Sequence, residues 1–285
     1  MDYSAEYAAL KSKADEYISS FADTLDGQNK LVAAMKYSLN AGGKRVRFVL
    51  ALAAAKVYGV GEEDIMPFAL AVELIHTYSL IHDDLPALDN DDMRRGKPSN
   101  HKVFGEDFAV IAGDGLLNLA YEVLLSACDT PFKVRAAAKI AELAGYRGMV
   151  GGQAYDLDSS GKTGEEYLYK IQLGKTCALI AAPLVAAEIL AGKSGQDMLE
   201  VGKNLGLIFQ FGDDLLDVFG EKATVGKTLG KDKNENKLTA LNVYGVEKTK
   251  QIMQDLCEKT VEKLKKIGSA EFLEEFAKSL LTRTY

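Results

Sequence analysis

Cysteine, proline and uninterrupted apolar sequence are all scarce in this chain. Only three cysteines occur (Cys128, Cys177 and Cys257), far apart in sequence. So sparse and odd a set argues against a disulfide framework or a zinc cluster and suits a reducing cytoplasm. Five prolines in 285 residues, with no Pro/Ser-rich tract, leave nothing that reads as a linker. Residues 1–285 are therefore read as a single domain, although length alone would allow two. No window of about 18 apolar residues is free of charge, so no membrane-spanning helix is expected. The first residues, MDYSAEYAALKSKADEYISSF, alternate in charge and do not read as a leader peptide. Positive charge is in deficit: 34 Lys+Arg against 41 Asp+Glu give a net charge of −7. With no basic stripe either, nucleic acid is a poor partner.

What the chain does have is helical periodicity. Apolar residues make up 47% of it, which excludes general disorder. They recur at helical spacing, for example Leu10, Ala14, Tyr17, Ile18 and Phe21, or Leu168, Ile171, Ala178, Ala182 and Val185. Alternation at period two is absent, so no sheet is expected. Helix-breaking chemistry falls at Gly27, Gly42-Gly43, Gly59 to Gly61, Asp129-Thr130-Pro131, Ser159 to Gly164 and Gly192 to Gly195. Thr163 with Glu166 reads as a capping box, and Ser194 with Asp197 as a weaker one. The spacing predicts helices over 4–25, 28–40, 46–58, 64–88, 104–128, 132–157, 164–190, 196–219, 235–244, 247–266 and 270–282. Segments near 46–58, 109–125 and 175–191 are apolar on more than one face and belong inside a bundle. The expected fold is an all-α bundle of about ten helices around a deep central cavity.

Two acidic clusters interrupt this apolar background. Asp83, Asp84, Asp89, Asp91 and Asp92 lie within ten residues at the end of an apolar helix; Asp213, Asp214 and Asp217 lie inside another. Bare carboxylates in such surroundings repel one another and are costly to desolvate. A cation should compensate them, and Mg²⁺ suits because it takes one or two carboxylates and completes its shell with water and phosphate oxygens. Asp213 and Asp217, four apart, share a helix face, while Asp214 turns away and reads as supporting. Asp83 and Asp89, six apart, would converge only if the helix were distorted at Pro86. Asp83 and Asp89 are expected as direct ligands, with Asp84 supporting.

Cationic residues answer these clusters. Arg94 and Arg95 follow the first one and, being adjacent, point in different directions, so they can hold two separate anions. Gly42-Gly43-Lys44-Arg45-Val46-Arg47 precedes a helix start, a place that attracts phosphate. Lys175-Thr176, Lys227 and Lys237 are further candidates. All three histidines fall near the first cluster. His76 shares a face with Asp83 and is placed to donate to a phosphate; His82 and His101 are left between structural and site roles. No Ser-His-Asp or Cys-His arrangement emerges.

The runs GGKRVRF, ELIHTYSLIHDDLPALDNDDMRRGKPSNHKVFGE, GGQAYDLD, LGKT and FQFGDDLLDVFG, in that order, resemble the trans-isoprenyl diphosphate synthases over the whole chain. The resemblance implies an all-α prenyltransferase fold, a homodimer, and about three Mg²⁺ ions. It implies that Asp83, Asp89 and Asp213 hold those ions on an allylic diphosphate (dimethylallyl or geranyl). Arg94, Lys175, Lys227 and Lys237 would bind the same diphosphate. Lys44, Arg47, His76 and Arg95 would bind isopentenyl diphosphate, and Thr176 and Gln210 would line the reacting carbons. Magnesium-assisted loss of diphosphate would give an allylic cation, which the isopentenyl double bond attacks.

Product length should depend on Ser79 and Tyr78, four and five residues before Asp83 and so about 6–7.5 Å down the helix. A bulky Tyr78 would stop elongation. Together with a two-residue insertion in the first motif, it resembles the bacterial farnesyl diphosphate synthases. The sequence departs from the family at Thr239-Ala240-Leu241, where Thr-Tyr-Pro is often found, and lacks an extended basic tail. A geranylgeranyl diphosphate synthase is the nearest alternative. A terpene cyclase would need no second diphosphate site, and a non-catalytic subunit should have lost one acidic motif.

Overall fold

A computed structural model describes residues 2–27, 29–219 and 238–282. Lys227, Lys237 and the last three residues of the tail lie outside them. The helices are α1 (Tyr3–Thr24), α2 (Lys30–Leu39), α3 (Val46–Tyr58), α4 (Glu62–Asp83), α5 (Asn100–Phe104), α6 (Glu106–Ser126) and α7 (Pro131–Ala144). They continue with α8 (Met149–Leu157), α9 (Glu165–Gln172), α10 (Ala178–Leu190) and α11 (Gln196–Phe219). The last are α12 (Ala240–Tyr244), α13 (Val246–Ile267) and α14 (Glu271–Ser279). A π-helical turn, Leu173–Cys177, joins α9 to α10.

Sequence explains the interior positions. In α3 every residue from Phe48 to Ala55 is buried, and in α10 every residue from Ala178 to Ile189. Such all-round apolar helices have no solvent face and must sit at the centre. α10 packs on α3, α4, α7 and α11, and α4 packs along α6. Two glycines let α11 come close to its neighbours. A Cβ at Gly202 would lie 2.4 Å from Ala181 Cα, and one at Gly206 would lie 2.6 Å from Cys177 Cα.

Five expectations need correction. First, a short hairpin is present: Met93-Arg94 (β1) pairs antiparallel with Lys97-Pro98 (β2). Its turn is made by Arg95 at φ 52° and Gly96 at φ 75°, the left-handed pair of a two-residue hairpin turn. An arginine in the turn hid that signal. Second, the stretch 132–157 is two helices, broken at Gly145 to Gly148. Third, Thr163 makes no cap; α9 starts from Gly164 without a side-chain cap, whereas Ser194 accepts from the Gln196 backbone N–H at 3.2 Å. Fourth, α4 ends at Asp83 instead of bending at Pro86. Fifth, by length and composition three helices are apolar enough to cross a membrane: Glu62–Asp83, Glu106–Ser126 and Glu165–Leu190. Within their apolar windows 72%, 33% and 72% of residues are buried in the molecule, so the first and third use their apolarity in the core.

The close approach at Gly202 gives a stability prediction. Gly202→Val should lower unfolding stability by about 1–3 kcal/mol, the usual cost of overpacking. Urea denaturation followed by circular dichroism would measure it. An unchanged midpoint would mean that the α10–α11 contact relaxes freely.

Candidate active site

The end of α4 carries the first acidic cluster. Beyond Asp83 the chain curls back on itself: Asp89 N donates to Asp83 O at 2.8 Å, Asn90 N to Leu85 O at 3.1 Å and Asp91 N to Asp84 O at 3.1 Å. The link from Asp89 to Asp83, not a bent helix, brings these two residues together. Beneath the loop lies a cavity of about 520 Å³. Of the sequence-derived candidates, Asp83, Asp213, Arg47, His76, Lys175, Thr176, Gln210, Tyr78 and Ser79 line it. The two acidic motifs therefore open onto one space.

The Asp83 carboxyl is strongly perturbed. Its pKa is pushed up to about 6, chiefly by burial, against the pull of Lys175, with Asp89 and Asp84 adding repulsion. Gln153 Nε2 donates to Asp83 Oδ1 at 2.9 Å. Among the described residues no three Asp, Glu, His or Cys side chains converge as a closed metal cage. Two carboxylates facing one cavity are the donor set expected for Mg²⁺ whose remaining positions go to water and phosphate.

Asp84 does something different. It is buried, and Arg94 grips it through Nε at 2.9 Å and through Nη2; Arg94 Nη2 also lies 3.5 Å from Asp91 Oδ2. Arg94 thus braces the acidic loop and, with Asp84, Asp89, Asp214 and Asp217, is absent from the lining of the large cavity. Asp214 is also buried. It accepts from Gln210 Nε2 at 3.1 Å and from Ala240 N at 2.7 Å, so it ties α11 to α12. Thr176 Oγ1 donates to Gln210 Oε1 at 2.9 Å, completing a chain of bonds from the cavity wall to Asp214.

Lys175 projects from the π turn and meets Asp156 Oδ2 at 2.5 Å. The turn packs backbone to backbone on α8: a Cβ at Gly152 would lie 1.9 Å from Lys175 N. Gln153 and Asp156, both in the GGQAYDLD run, went unassigned in the sequence reading. Their signal was a polar pair three apart beside two glycines, but nothing in the sequence says which partners they meet.

A second cavity, of about 140 Å³, adjoins the first. Lys44, Arg47, His76 and Arg95 line it, with Arg45, Glu73 and Phe209; Arg47, His76 and Phe209 also border the large cavity. Arg95 stands at a left-handed φ and reaches Gly43, while its neighbour Arg94 reaches Asp84. The Arg95 guanidinium rests on Gly43, where a Cβ would lie 2.9 Å from Cζ. Among the described residues lining it the one buried anion is Glu73, to which Arg45 Nη1 donates at 2.9 Å; Arg45 Nε reaches Asp15 at 2.8 Å. His76 faces both cavities yet lies deep among cations. Burial, then Arg47, Arg95, Arg94 and Arg45, hold its pKa well below 6.5, so it is a neutral imidazole.

The raised Asp83 pKa predicts a pH-dependent stability cost in protein free of divalent ions. The carboxyl titrates near 3.8 when unfolded and near 6 when folded, so its charge costs nothing below pH 4 and its full penalty above pH 6. Asp83→Asn, measured by urea unfolding in chelator, should gain on the order of 3 kcal/mol at pH 7, from about two pKa units at 1.36 kcal/mol each. The gain should vanish near pH 4. A gain independent of pH would contradict the burial argument.

Residues 28–273 match the family model for polyprenyl synthetase. The chain is 46% identical over 268 residues to the heterodimeric geranylgeranyl pyrophosphate synthase large subunit 1 of Arabidopsis thaliana, covering 90% of this chain and 71% of that one. It is 41% identical over 240 residues to the farnesyl diphosphate synthase of Geobacillus stearothermophilus, covering 80% of each. Among solved structures, an FPP/GFPP synthase from Zymomonas mobilis superposes with a TM-score of 0.86 at 32% identity, covering 98% of this chain and 99% of that one. A geranyltransferase from Helicobacter pylori, complexed with magnesium and isoprenyl diphosphate, gives 0.80 at 29% identity over 96% of each chain. With its helices, two acidic motifs and adjoining cavities in place, the chain belongs to the polyprenyl synthetase family of trans-isoprenyl diphosphate synthases and is a short-chain trans-prenyltransferase.

Proposed function

We propose that this prenyltransferase condenses isopentenyl diphosphate with dimethylallyl and then geranyl diphosphate, stopping at farnesyl diphosphate. The observation that carries the C15 product is Tyr78. It lies on α4 below Asp83, is only 7% exposed, and lines the large cavity where a growing chain must go. Its hydroxyl pKa is pushed up to about 12, first by burial, so it meets the chain as a neutral aromatic wall. Ser79 beside it leaves some depth.

The allylic diphosphate belongs at the mouth, between Asp83 and Asp213, with Mg²⁺ as the ion both would hold. Bound there, magnesium supplies charge neutralisation for the leaving diphosphate. Lys175, steadied by Asp156, adds a fixed positive charge at the same end. Arg94 acts through Asp84, keeping the loop that carries Asp83 and Asp89 in shape. Lys44, Arg47, His76 and Arg95 suit the diphosphate of isopentenyl diphosphate, with neutral His76 donating an N–H. Thr176 and Gln210, joined by a hydrogen bond and both lining the cavity, face the developing cation. The proton lost after addition passes to the released diphosphate, so no protein base is required.

A geranylgeranyl product is the second reading, supported by the 46% identity to the Arabidopsis protein of that name. We also infer a cytoplasmic homodimer of one-domain subunits. The outward apolar residues Val110, Ile111 and Leu125 of α6 support the dimer.

The deciding experiment supplies dimethylallyl diphosphate to the purified chain with and without isopentenyl diphosphate, in Mg²⁺ or in chelator. A C15 alcohol after dephosphorylation is expected only with both substrates and metal. A hydrocarbon or alcohol product from geranyl or farnesyl diphosphate supplied alone would indicate a cyclase, and no product in any arm a non-catalytic subunit. Tyr78→Ala should shift the main product to twenty carbons or more. An unmoved profile would remove Tyr78 as the stop.

A further inference from the structure

We propose that His82 is a positioning residue for product length, locked into a notch at Gly113 and holding the Tyr78 ring across the cavity. The inference rests on the reading of Tyr78 as the elongation stop, and it explains how that stop is kept in place.

The notch lies where α4 crosses α6. A Cβ built on Gly113 would lie 2.1 Å from His82 Nε2, 2.5 Å from Cδ2 and 2.9 Å from Cε1. The imidazole therefore presses against the α6 backbone, in space that only a glycine leaves. Its Nε2 lies 3.0 Å from Val110 O; a carbonyl only accepts, so Nε2 carries the proton and donates. Asp114 Oδ1 stands 3.9 Å from the same nitrogen. Both groups belong to α6, so the ring is fixed from the opposite helix.

Tyr78 lies one helical turn earlier on α4, where side chains at i and i+4 meet. Its ring contacts His82 edge-to-face, with centroids 5.7 Å apart and planes at 77°, a favoured aromatic arrangement. His82 and Tyr78 line the same cavity. With His82 seated, its ring stands edge-to-face against Tyr78 and is itself held on α6. Without the imidazole, the vacated notch offers Tyr78 room and the floor drops.

The test measures product chain length for full-length wild-type, Tyr78→Ala, His82→Ala and double-variant enzymes, with Mg²⁺ and one fixed ratio of dimethylallyl to isopentenyl diphosphate. His82→Ala is expected to lengthen the main product by one five-carbon unit, and the double variant to match Tyr78→Ala alone. A slower condensation step beside Asp83 would favour early release and shorten the product, so lengthening reports the cavity floor and not the loss of turnover. If Tyr78→Ala lengthens the product and His82→Ala leaves it at wild-type length, the His82 role is overturned. A double variant longer than Tyr78→Ala would make His82 an independent wall and equally overturn positioning. Should Tyr78→Ala itself change nothing, the reading of the stop falls first. Gly113→Ala supplies a second route if His82→Ala is inactive: its methyl displaces the end of a side chain and not backbone. It is expected to turn a single product into a mixture, and an unchanged single product would overturn the proposal.

Discussion

Everything in this molecule is arranged around carboxylates held where carboxylates are unwelcome. Asp83 stands at the end of an apolar helix and Asp213 within another, and both look into one cavity. Removing charge from water in such a place is expensive. The raised titration of Asp83 shows that the cost is carried by the protein until something cationic arrives. Much of the surrounding structure exists to keep that arrangement from relaxing. The loop from Asp84 to Asp92 folds back on itself through backbone hydrogen bonds, Arg94 clamps Asp84, and Gln153 ties Asp83 to α8. Stability is held below its possible value here, as is common at sites built to bind charge.

The positive side is organised by backbone conformation as much as by side-chain chemistry. Two neighbouring arginines serve different ends because the second occupies a left-handed turn. Arg94 goes down to the acidic loop. Arg95 goes across to Gly43 and joins Lys44, Arg47 and His76 around the small cavity. One buried glutamate, Glu73, and a set of arginines share this space. An incoming dianion would find its counter-charges already assembled, with the cost of gathering them met during folding.

Much of this was legible in the residues themselves. Helical spacing located most elements, because all-round apolar runs such as 178–189 have only one place to go. The acidic motifs located the cavity, since two such clusters in greasy surroundings must share a purpose. What remained hidden is instructive. The small hairpin was missed because Arg95 stands where asparagine or glycine usually signals a turn. The split at Gly145 to Gly148 was masked by apolar residues that keep helical spacing on both sides. Asp84 and Asp214 read as supports by position, but their partners, Arg94 for the one and Gln210 with Ala240 N for the other, were not legible. Partnerships such as Gln153 with Asp83, or Asp156 with Lys175, join residues 70 and 19 positions apart, and no local pattern encodes them.

The π turn at Leu173–Cys177 has a further implication. One surplus residue is wound into an otherwise continuous helical rod of 26 residues. It lets Lys175 and Thr176, adjacent in sequence, both reach the cavity. Loss of a single residue from this turn would restore ordinary winding with α9 and α10 in nearly the same rotational phase, because the wide turn already absorbs the surplus residue. The change would fall on the turn itself, which would no longer present both Lys175 and Thr176 to the cavity. The extra residue therefore enlarges the set of side chains that one stretch of helix offers to the cavity, at the place where the substrate's leaving group would rest, without disturbing the packing of the rod on either side.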